Sequence, residues 1–172
     1  MEPELDELYQ KVKATLGRQR TVTSPEEIGQ ATFRLYATAV QDFNPLYMDK
    51  RYASRFGFVD VIAPPTLVCE TFQIYNGDIS CEGHPEGFGD PNLPMPLRAG
   101  NDYAFFRPVM PDDVITAHIK VSDVWKQNGR SGGIVFQEFE ILYFNQNGDR
   151  LARNVELMFY KAGCEISHGD NR

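Results

Sequence analysis

Hydrophobic positions follow two different spacings, which divide the chain into a largely helical first half and a β-rich last third. Near the N-terminus, apolar side chains recur every three or four residues, at Leu5, Leu8, Tyr9, Val12 and Leu16. This is the spacing of one helix face. Gly17 follows them, and glycine readily takes the left-handed conformation in which many helices end. The pattern predicts an N-terminal helix that ends near Gly17.

A second helix is predicted from the sequence Ser-Pro-Glu-Glu that begins at Ser24. These residues have the form of a capping box with proline at the first helical position. A helix that starts at Pro25 would run to about Gln41, and Asn44-Pro45 would stop it. A short helix capped by Asp49 is predicted to follow.

The segment TLVCETFQIYNG, residues 66–77, predicts the most apolar helix of the chain. Its apolar side chains cover most of a helical surface, as expected of a helix around which a sheet wraps. Residues 78–96 are rich in glycine, proline and acidic side chains and predict a long loop. Loops of this length in compact domains usually have a function.

The last third alternates apolar and polar residues with the period of a β-strand. Ile115, Ala117, Ile119 and Val121 are separated by polar neighbours, which predicts a half-buried strand. Strands are predicted at residues 100–106, 114–125, 133–144 and 150–160, with hairpin signals at Asn128-Gly129 and Asn147-Gly148. The chain is therefore predicted to be an α+β domain, with an antiparallel sheet and one apolar helix before it.

Composition and charge argue against several functional classes. The 172 residues suffice for one domain with a full core, and no apolar run approaches the roughly 20 residues of a membrane span. The acidic N-terminus lacks the apolar region of a secretory signal. A net charge of -7 without a dense Lys/Arg cluster argues against nucleic-acid binding. The three cysteines lack the spacing of a disulfide framework or a metal site, which predicts free thiols in the cytoplasm and no metal or cofactor.

The candidate chemistry lies in residues 36–66. Asp42 and Asn44 stand in a D-x-N-P pattern, and Ala63-Pro64-Pro65-Thr66 leads into the apolar helix. The segments Phe33–Ala37, Tyr52-Ala53, Arg107–Asp113 and Gly148-Asp149 accompany them in order. Together these segments resemble the MaoC-like dehydratase family, in its N-terminal (FAS-like dehydratase) type, over about residues 20 to 160.

The resemblance implies a single hot-dog domain, in which a curved antiparallel sheet wraps around a central apolar helix. It also implies acyl-CoA or acyl-carrier-protein thioester substrates and the pairing of two hot dogs. Residues 1–22 would form an N-terminal helix and lead-in strand, residues 23–163 the hot-dog domain, and residues 164–172 a polar tail. In the family, an Asp and a His act as base and acid, while a backbone N–H at the start of the central helix stabilises the thioester oxygen.

The chain departs from the family pattern at two positions. Tyr47 stands where the family has histidine, and a neutral phenol with a pKa of about 10 is a poor base at neutral pH. Pro65 stands where the family has a glycine whose N–H faces the thioester, and proline has no N–H. The candidate catalytic residues, as motif remnants that could equally serve turns and packing, are Asp42, Asn44 and Tyr47. The candidate substrate-binding residues are Ala63, Pro64, Pro65, Thr66 and, in the long loop, His84.

These departures predict a subunit of an (R)-specific enoyl-CoA hydratase or 3-hydroxyacyl dehydratase. The chain would form the acyl pocket, and a second hot-dog subunit with an intact Asp/His motif would supply the catalytic groups. Three alternatives stay open: a self-sufficient homodimeric hydratase that uses Asp42, a non-catalytic acyl-CoA-binding protein, and a thioesterase that uses Glu70. Fatty, steroid side-chain and small dicarboxylic acyl groups also stay open. No nucleic-acid or membrane partner is expected.

Overall fold

A computed structural model describes residues 2–69, 93–129 and 132–162 of the chain. In chain order its elements are helix α1 (Glu2–Lys13), strand β1 (Gln19–Thr23), helix α2 (Gln30–Ala39), a 3-10 helix (Pro45–Tyr47), helix α3 (Lys50–Ser54), and strands β2 (Leu97–Phe105), β3 (Thr116–Gly129), β4 (Gly132–Phe144) and β5 (Arg150–Lys161). Residues 67–69 are helical. The rest of the predicted apolar helix and most of the predicted long loop lie outside the described residues.

The five strands form one antiparallel sheet in the order β1-β3-β4-β5-β2. Strands β3 and β4 pair from Thr116↔Phe144 to Gly129↔Gly132, and β4 and β5 pair from Ile134↔Lys161 to Phe144↔Arg150. Strands β1 and β2 are therefore the two edges. The predicted α+β layout is confirmed, because the helices precede the main strands and pack on this sheet.

The larger part of the core joins the helices to one face of the sheet. Phe33 of α2 and the helical residues 67–69 are buried in it. The strand residues of this cluster include Ala117, Ile119, Ile141, Tyr143 and Ala152. The Tyr143 hydroxyl donates to the carbonyl oxygen of Cys69 at 3.5 Å, and burial raises the pKa of Tyr143 strongly. The apolar helix thus begins against the sheet, as the sequence predicts.

Helix α1 packs on another part of the sheet, through the apolar face predicted from its spacing. Leu5, Leu8 and Val12 are buried against strand residues that include Val121, Val135 and Tyr160. Gly133 allows this close approach, because a Cβ there would lie 2.6 Å from the Leu5 Cδ2 atom. Leu16 is 47% exposed, so the apolar face ends one turn earlier than predicted.

The predicted start of α2 is wrong by five residues, since the helix begins at Gln30 and not at Pro25. The Ser24 hydroxyl does not cap a helix. It accepts a hydrogen bond from the Ile115 N–H at 3.0 Å and donates to the Glu26 carbonyl at 3.0 Å. The Ser24 N–H also donates to the Ile115 carbonyl at 2.8 Å. The contact with the chain just before β3 therefore replaces the predicted local cap.

Polar residues and glycines end the helices and turn the strands largely where the sequence predicts. The Asp49 carboxylate accepts hydrogen bonds from two N–H groups at the start of α3, which confirms the predicted cap. Gly148 has φ 79 in the turn between β4 and β5, which confirms that hairpin signal. The other hairpin signal is displaced, because Asn128 and Gly129 pair with β4 as the last residues of β3.

Candidate functional site

Backbone hydrogen bonds at the C-terminal end of α2 determine where Asp42 lies. Gln41 has φ 58, and its N–H donates to the Thr38 carbonyl at 3.2 Å. The Asp42 N–H donates to the Ala37 carbonyl at 2.9 Å. These two bonds form a Schellman motif, in which glycine or asparagine is the usual left-handed residue. Gln41 therefore adopts a costly conformation directly before the candidate catalytic aspartate.

Asn44 performs a local structural task. Its side-chain oxygen accepts a hydrogen bond from the Leu46 N–H at 3.1 Å, which caps the 3-10 helix. Its own N–H donates to the Asp42 Oδ1 atom at 3.3 Å. Both contacts are typical of turns, in which Asn and Asp side chains bind backbone groups two residues away. The turn interpretation of these two residues therefore has direct structural support.

Tyr47 is buried and contacts Asp42. Only 6% of the residue is exposed, and it packs in a small cluster with Ala37 and Ile62. Burial first, and then the negative charge and the hydrogen-bonding carboxylate of Asp42, raise the pKa of Tyr47 above its ordinary value. The phenol is therefore protonated at neutral pH and cannot accept a proton as a base.

We call Asp42, Asn44 and Tyr47 the Asp42 network. Ile62 packs with Tyr47 and also lines an apolar pocket of about 250 Å³. One wall consists of residues 62–65 and Val68, and the other of residues 105–109. We call it the proline pocket. The Ala63 N–H donates to the Val109 carbonyl at 2.9 Å, which fixes the two walls to each other. Among the described lining residues, Arg107 alone carries a charged side chain.

The predicted substrate-binding residues divide into three groups. Ala63, Pro64 and Pro65 line the proline pocket, and Pro65 places a residue without an N–H in its wall. Thr66 does not line the pocket; its hydroxyl and that of Tyr36 are 2.9 Å apart, which ties α2 to the start of the apolar helix. His84 and Glu70 lie outside the described residues.

Sequence reasoning missed the second wall of the pocket. Phe105 and Phe106 lie at the end of β2, about forty residues after the first wall. The Phe106 and Arg107 N–H groups both donate to the Leu151 carbonyl, at 2.8 and 3.3 Å, which fixes this wall to β5. Two consecutive aromatic residues at the end of a predicted strand were the available signal, because side chains at a strand end often border a site.

The proline pocket is suited to binding and not to proton transfer. None of its described lining residues is an Asp, Glu or His. Over the described ranges, no group of three or more His, Cys, Asp or Glu residues could hold a metal ion. In the same part of the chain, no helix is long and apolar enough to cross a membrane. An apolar chain fits such walls, whereas water activation requires a base from elsewhere.

A family model described as "FAS1-like, dehydratase domain region" matches residues 14–154. The chain belongs to this family. Residues 14–154 include both the Asp42 network and the proline pocket. A UPF0336 protein from Thermobifida fusca is 33% identical over 113 residues, which are 63% of this chain and 69% of the relative. A UPF0336 protein from Streptomyces coelicolor is 32% identical over 108 residues, 60% of this chain and 67% of the relative.

Solved structures confirm the hot-dog fold. The ChsH1–ChsH2 complex from Mycobacterium tuberculosis aligns with a TM-score of 0.68 and 14% identity, over 96% of each chain. The HadBC complex from the same organism aligns with a TM-score of 0.63 and 18% identity, over 83% of this chain and 96% of the other. The R-hydratase PhaJ1 from Pseudomonas aeruginosa aligns with a TM-score of 0.59 and 20% identity, over 87% of each. Identities this low show the fold alone.

Proposed function

We propose that this FAS1-like dehydratase domain forms the acyl pocket of an (R)-specific enoyl-CoA hydratase or 3-hydroxyacyl-thioester dehydratase. A second hot-dog subunit with an intact Asp/His motif supplies the catalytic groups. The proline pocket carries the proposal, because it combines apolar walls with described lining residues that offer no general acid or base. Family membership supports the reaction class.

The two departures from the family motif explain why the chain needs a partner. Addition of water to an enoyl thioester needs a base for the water and an acid for the α-carbon, and losing such a group costs about 10²–10⁴ in rate. Tyr47 is a buried, protonated donor and cannot replace the base. Pro65 offers no N–H to the thioester oxygen, and the loss of one such donor typically costs about 10²–10³ in rate.

Two of the similar structures support a hot-dog partner. One is the ChsH1–ChsH2 complex, and the other is the HadBC complex, described as a 3R-hydroxyacyl-ACP dehydratase. Each is named for two different subunits. A two-subunit enzyme would allow one hot dog to bind the acyl group and the other to carry out the proton transfers.

One observation favours a second candidate, a homodimeric hydratase with Asp42 as its base. The Asp42 carboxylate is exposed and its charge acts on the nearby Tyr47 phenol, so it is accessible beside a protonated phenol. The missing N–H at Pro65 counts against this candidate, because the enolate oxygen would lose its donor.

Hydration of a short and a bulky enoyl-CoA tests the proposal. Turnover is measured with the purified chain, with a hot-dog subunit that carries the intact D-x-N-P-x-H motif, and with both together. We expect turnover of the bulky substrate only in the mixture. Turnover by the chain alone that Asp42→Ala abolishes would instead establish the homodimeric enzyme. Binding without turnover in every combination would favour an acyl-CoA-binding protein.

A further inference from the structure

Arg150 is an exposed cation that contacts one wall of the proline pocket without lining the pocket itself. The guanidinium of Arg150 lies over the ring of Phe106, 5.2 Å from its centroid. Phe106 is also a lining residue of the pocket. The pocket wall and the cation above it are therefore joined through one aromatic side chain.

Arg107 is paired with a carboxylate, whereas Arg150 has no such partner among the described residues. The Arg107 Nη1 atom lies 2.8 Å from the Asp149 Oδ1 atom, in an ion pair. Within residues 2–69, 93–129 and 132–162, no carboxylate pairs with Arg150. The chain has a net charge of -7. An arginine without a described carboxylate partner, next to an apolar pocket, creates a local positive potential that attracts an anionic group.

The backbone holds Arg150 in a fixed position relative to the pocket. The Leu151 carbonyl accepts the N–H groups of both Phe106 and Arg107, at 2.8 and 3.3 Å. Arg150 directly precedes this carbonyl at the start of β5. The ring contact with Phe106 restricts the Arg150 side chain, so this cation loses less side-chain entropy when it binds an anion than an unrestricted arginine does.

The contact with Phe106 leaves the hydrogen-bonding capacity of Arg150 available. A guanidinium over an aromatic ring uses its charge in the cation–π contact. Its N–H donors form a planar fork, the geometry that binds a phosphate through two parallel hydrogen bonds. The ring therefore supports the cation while those donors can face a ligand.

We propose that Arg150 binds the phosphate of the phosphopantetheine arm that carries the acyl thioester. This rests on the proposed function, because the acyl group would occupy the proline pocket beneath that arm. The phosphate belongs both to CoA and to an acyl-carrier protein, so the same residue would serve either source. Arg107, through its pair with Asp149, would shape the rim without binding the phosphate.

Three octanoyl thioesters that differ in their carrier test this assignment. Calorimetry on the full chain, and again with its hot-dog partner present, would compare octanoyl-pantetheine, octanoyl-phosphopantetheine and octanoyl-CoA. One charge-assisted hydrogen-bonded contact corresponds to a difference of roughly tenfold or more in Kd. We expect the two phosphate-bearing thioesters to bind at least tenfold more tightly than octanoyl-pantetheine.

Substitutions then assign the effect to Arg150. Arg150→Gln should remove the advantage of the phosphate-bearing thioesters, Arg150→Lys should keep part of it, and octanoyl-pantetheine should bind all variants equally. Arg55→Gln removes the same charge from an exposed residue after α3 and should change nothing. Retention of the phosphate advantage by Arg150→Gln, or equal binding of all three thioesters, would refute the assignment and leave the acyl pocket standing. If no octanoyl thioester binds in either preparation, the proposed function fails together with the assignment.

Discussion

The Asp42 network and the proline pocket meet at Ile62, but they are built in opposite ways. The network is local, because the contacts of Asp42, Asn44 and Tyr47 all fall within residues 42–47. The pocket joins two segments about forty residues apart, through the bond between Ala63 and Val109. The network is polar and the pocket is apolar.

This difference separates chemistry from binding in the chain. The polar groups of the network are engaged in caps, turns and packing, so the motif is structurally complete without acting on a substrate. The pocket remains able to accept an apolar chain, whatever the network does. Under the proposed function, Tyr47 and Pro65 account for the missing catalytic groups, while the apolar walls of the pocket bind the acyl chain. The first variant below alters both regions, and the later ones alter one region and leave the other intact.

Restoring the family residues at both positions should give the largest change. The variant Tyr47→His with Pro65→Gly regains a base and an N–H at the pocket, so its enoyl-CoA hydration rate should exceed that of the natural chain by about 10²-fold or more. Histidine in the buried Tyr47 position will cost some stability, so circular dichroism must first show a folded protein.

Adding Asp42→Ala to that variant provides its control. The gain should disappear, because the restored histidine would lack its carboxylate partner. A folded double variant without any gain would show that the two departures are not what limits catalysis. The pocket would then have to be incomplete for another reason.

Truncation of the second pocket wall should weaken binding without touching the network. Phe105 is 44% exposed, so Phe105→Ala removes about half of a phenyl contact and should raise the Kd of octanoyl-CoA about five- to tenfold. Phe56→Ala is the matched control, because Phe56 is 60% exposed and does not line the pocket. Equal losses in both variants would indicate a general effect of removing aromatic surface.

The sequence predicts the part of the fold that periodicity controls. Leu5, Leu8 and Val12 are buried at helical spacing, and the strands β3 to β5 begin and end within four residues of their predicted positions. These patterns succeed because each amphipathic element must place its apolar side on the same sheet. Gly133 leaves room on the sheet for Leu5 of α1, and the helical spacing alone does not reveal this requirement.

The errors arise where a distant backbone group competes with a local pattern. Ser24 has a capping sequence, but its hydroxyl binds the Ile115 N–H ninety-one residues away. For the same reason, the second wall of the proline pocket escaped prediction, since it depends on strand register and not on neighbouring residues. The candidate motif at Asp42 was recognisable because its contacts are local. Its interpretation through Tyr47 needed the burial that only the structure provides.

The stability of the protein at alkaline pH tests whether burial keeps Tyr47 protonated in the folded state. The folded state raises the pKa of Tyr47 above 10.0, because burial and Asp42 favour the protonated phenol. Burial raises the pKa of Tyr143 as well. The stabilising effect is therefore fully present below pH 10 and is lost above it, where the unfolded chain releases protons that the folded chain keeps. Urea unfolding at pH 9 and 11 measures this loss.

Tyr47→Phe distinguishes the two phenols. It should reduce the loss of stability between pH 9 and pH 11, because the contribution of Tyr47 would be removed while that of Tyr143 remained. An unchanged loss would mean that the folded state does not favour the protonated form of Tyr47.

The smallest effect should come from the backbone that presents Asp42. The left-handed φ of 58 at Gln41 in the Schellman motif costs conformational free energy. Gln41→Gly should therefore stabilise the fold by about 0.5–1 kcal/mol and raise Tm by a few degrees. Ala39→Gly, two residues earlier and inside α2, is the opposite control and should lower Tm. The affinity for octanoyl-CoA should not change in either variant, since neither residue lines the proline pocket. A lower Tm in Gln41→Gly would mean that the glutamine side chain stabilises this turn by more than its conformation costs. A changed affinity for octanoyl-CoA would show that the Asp42 network and the proline pocket are coupled.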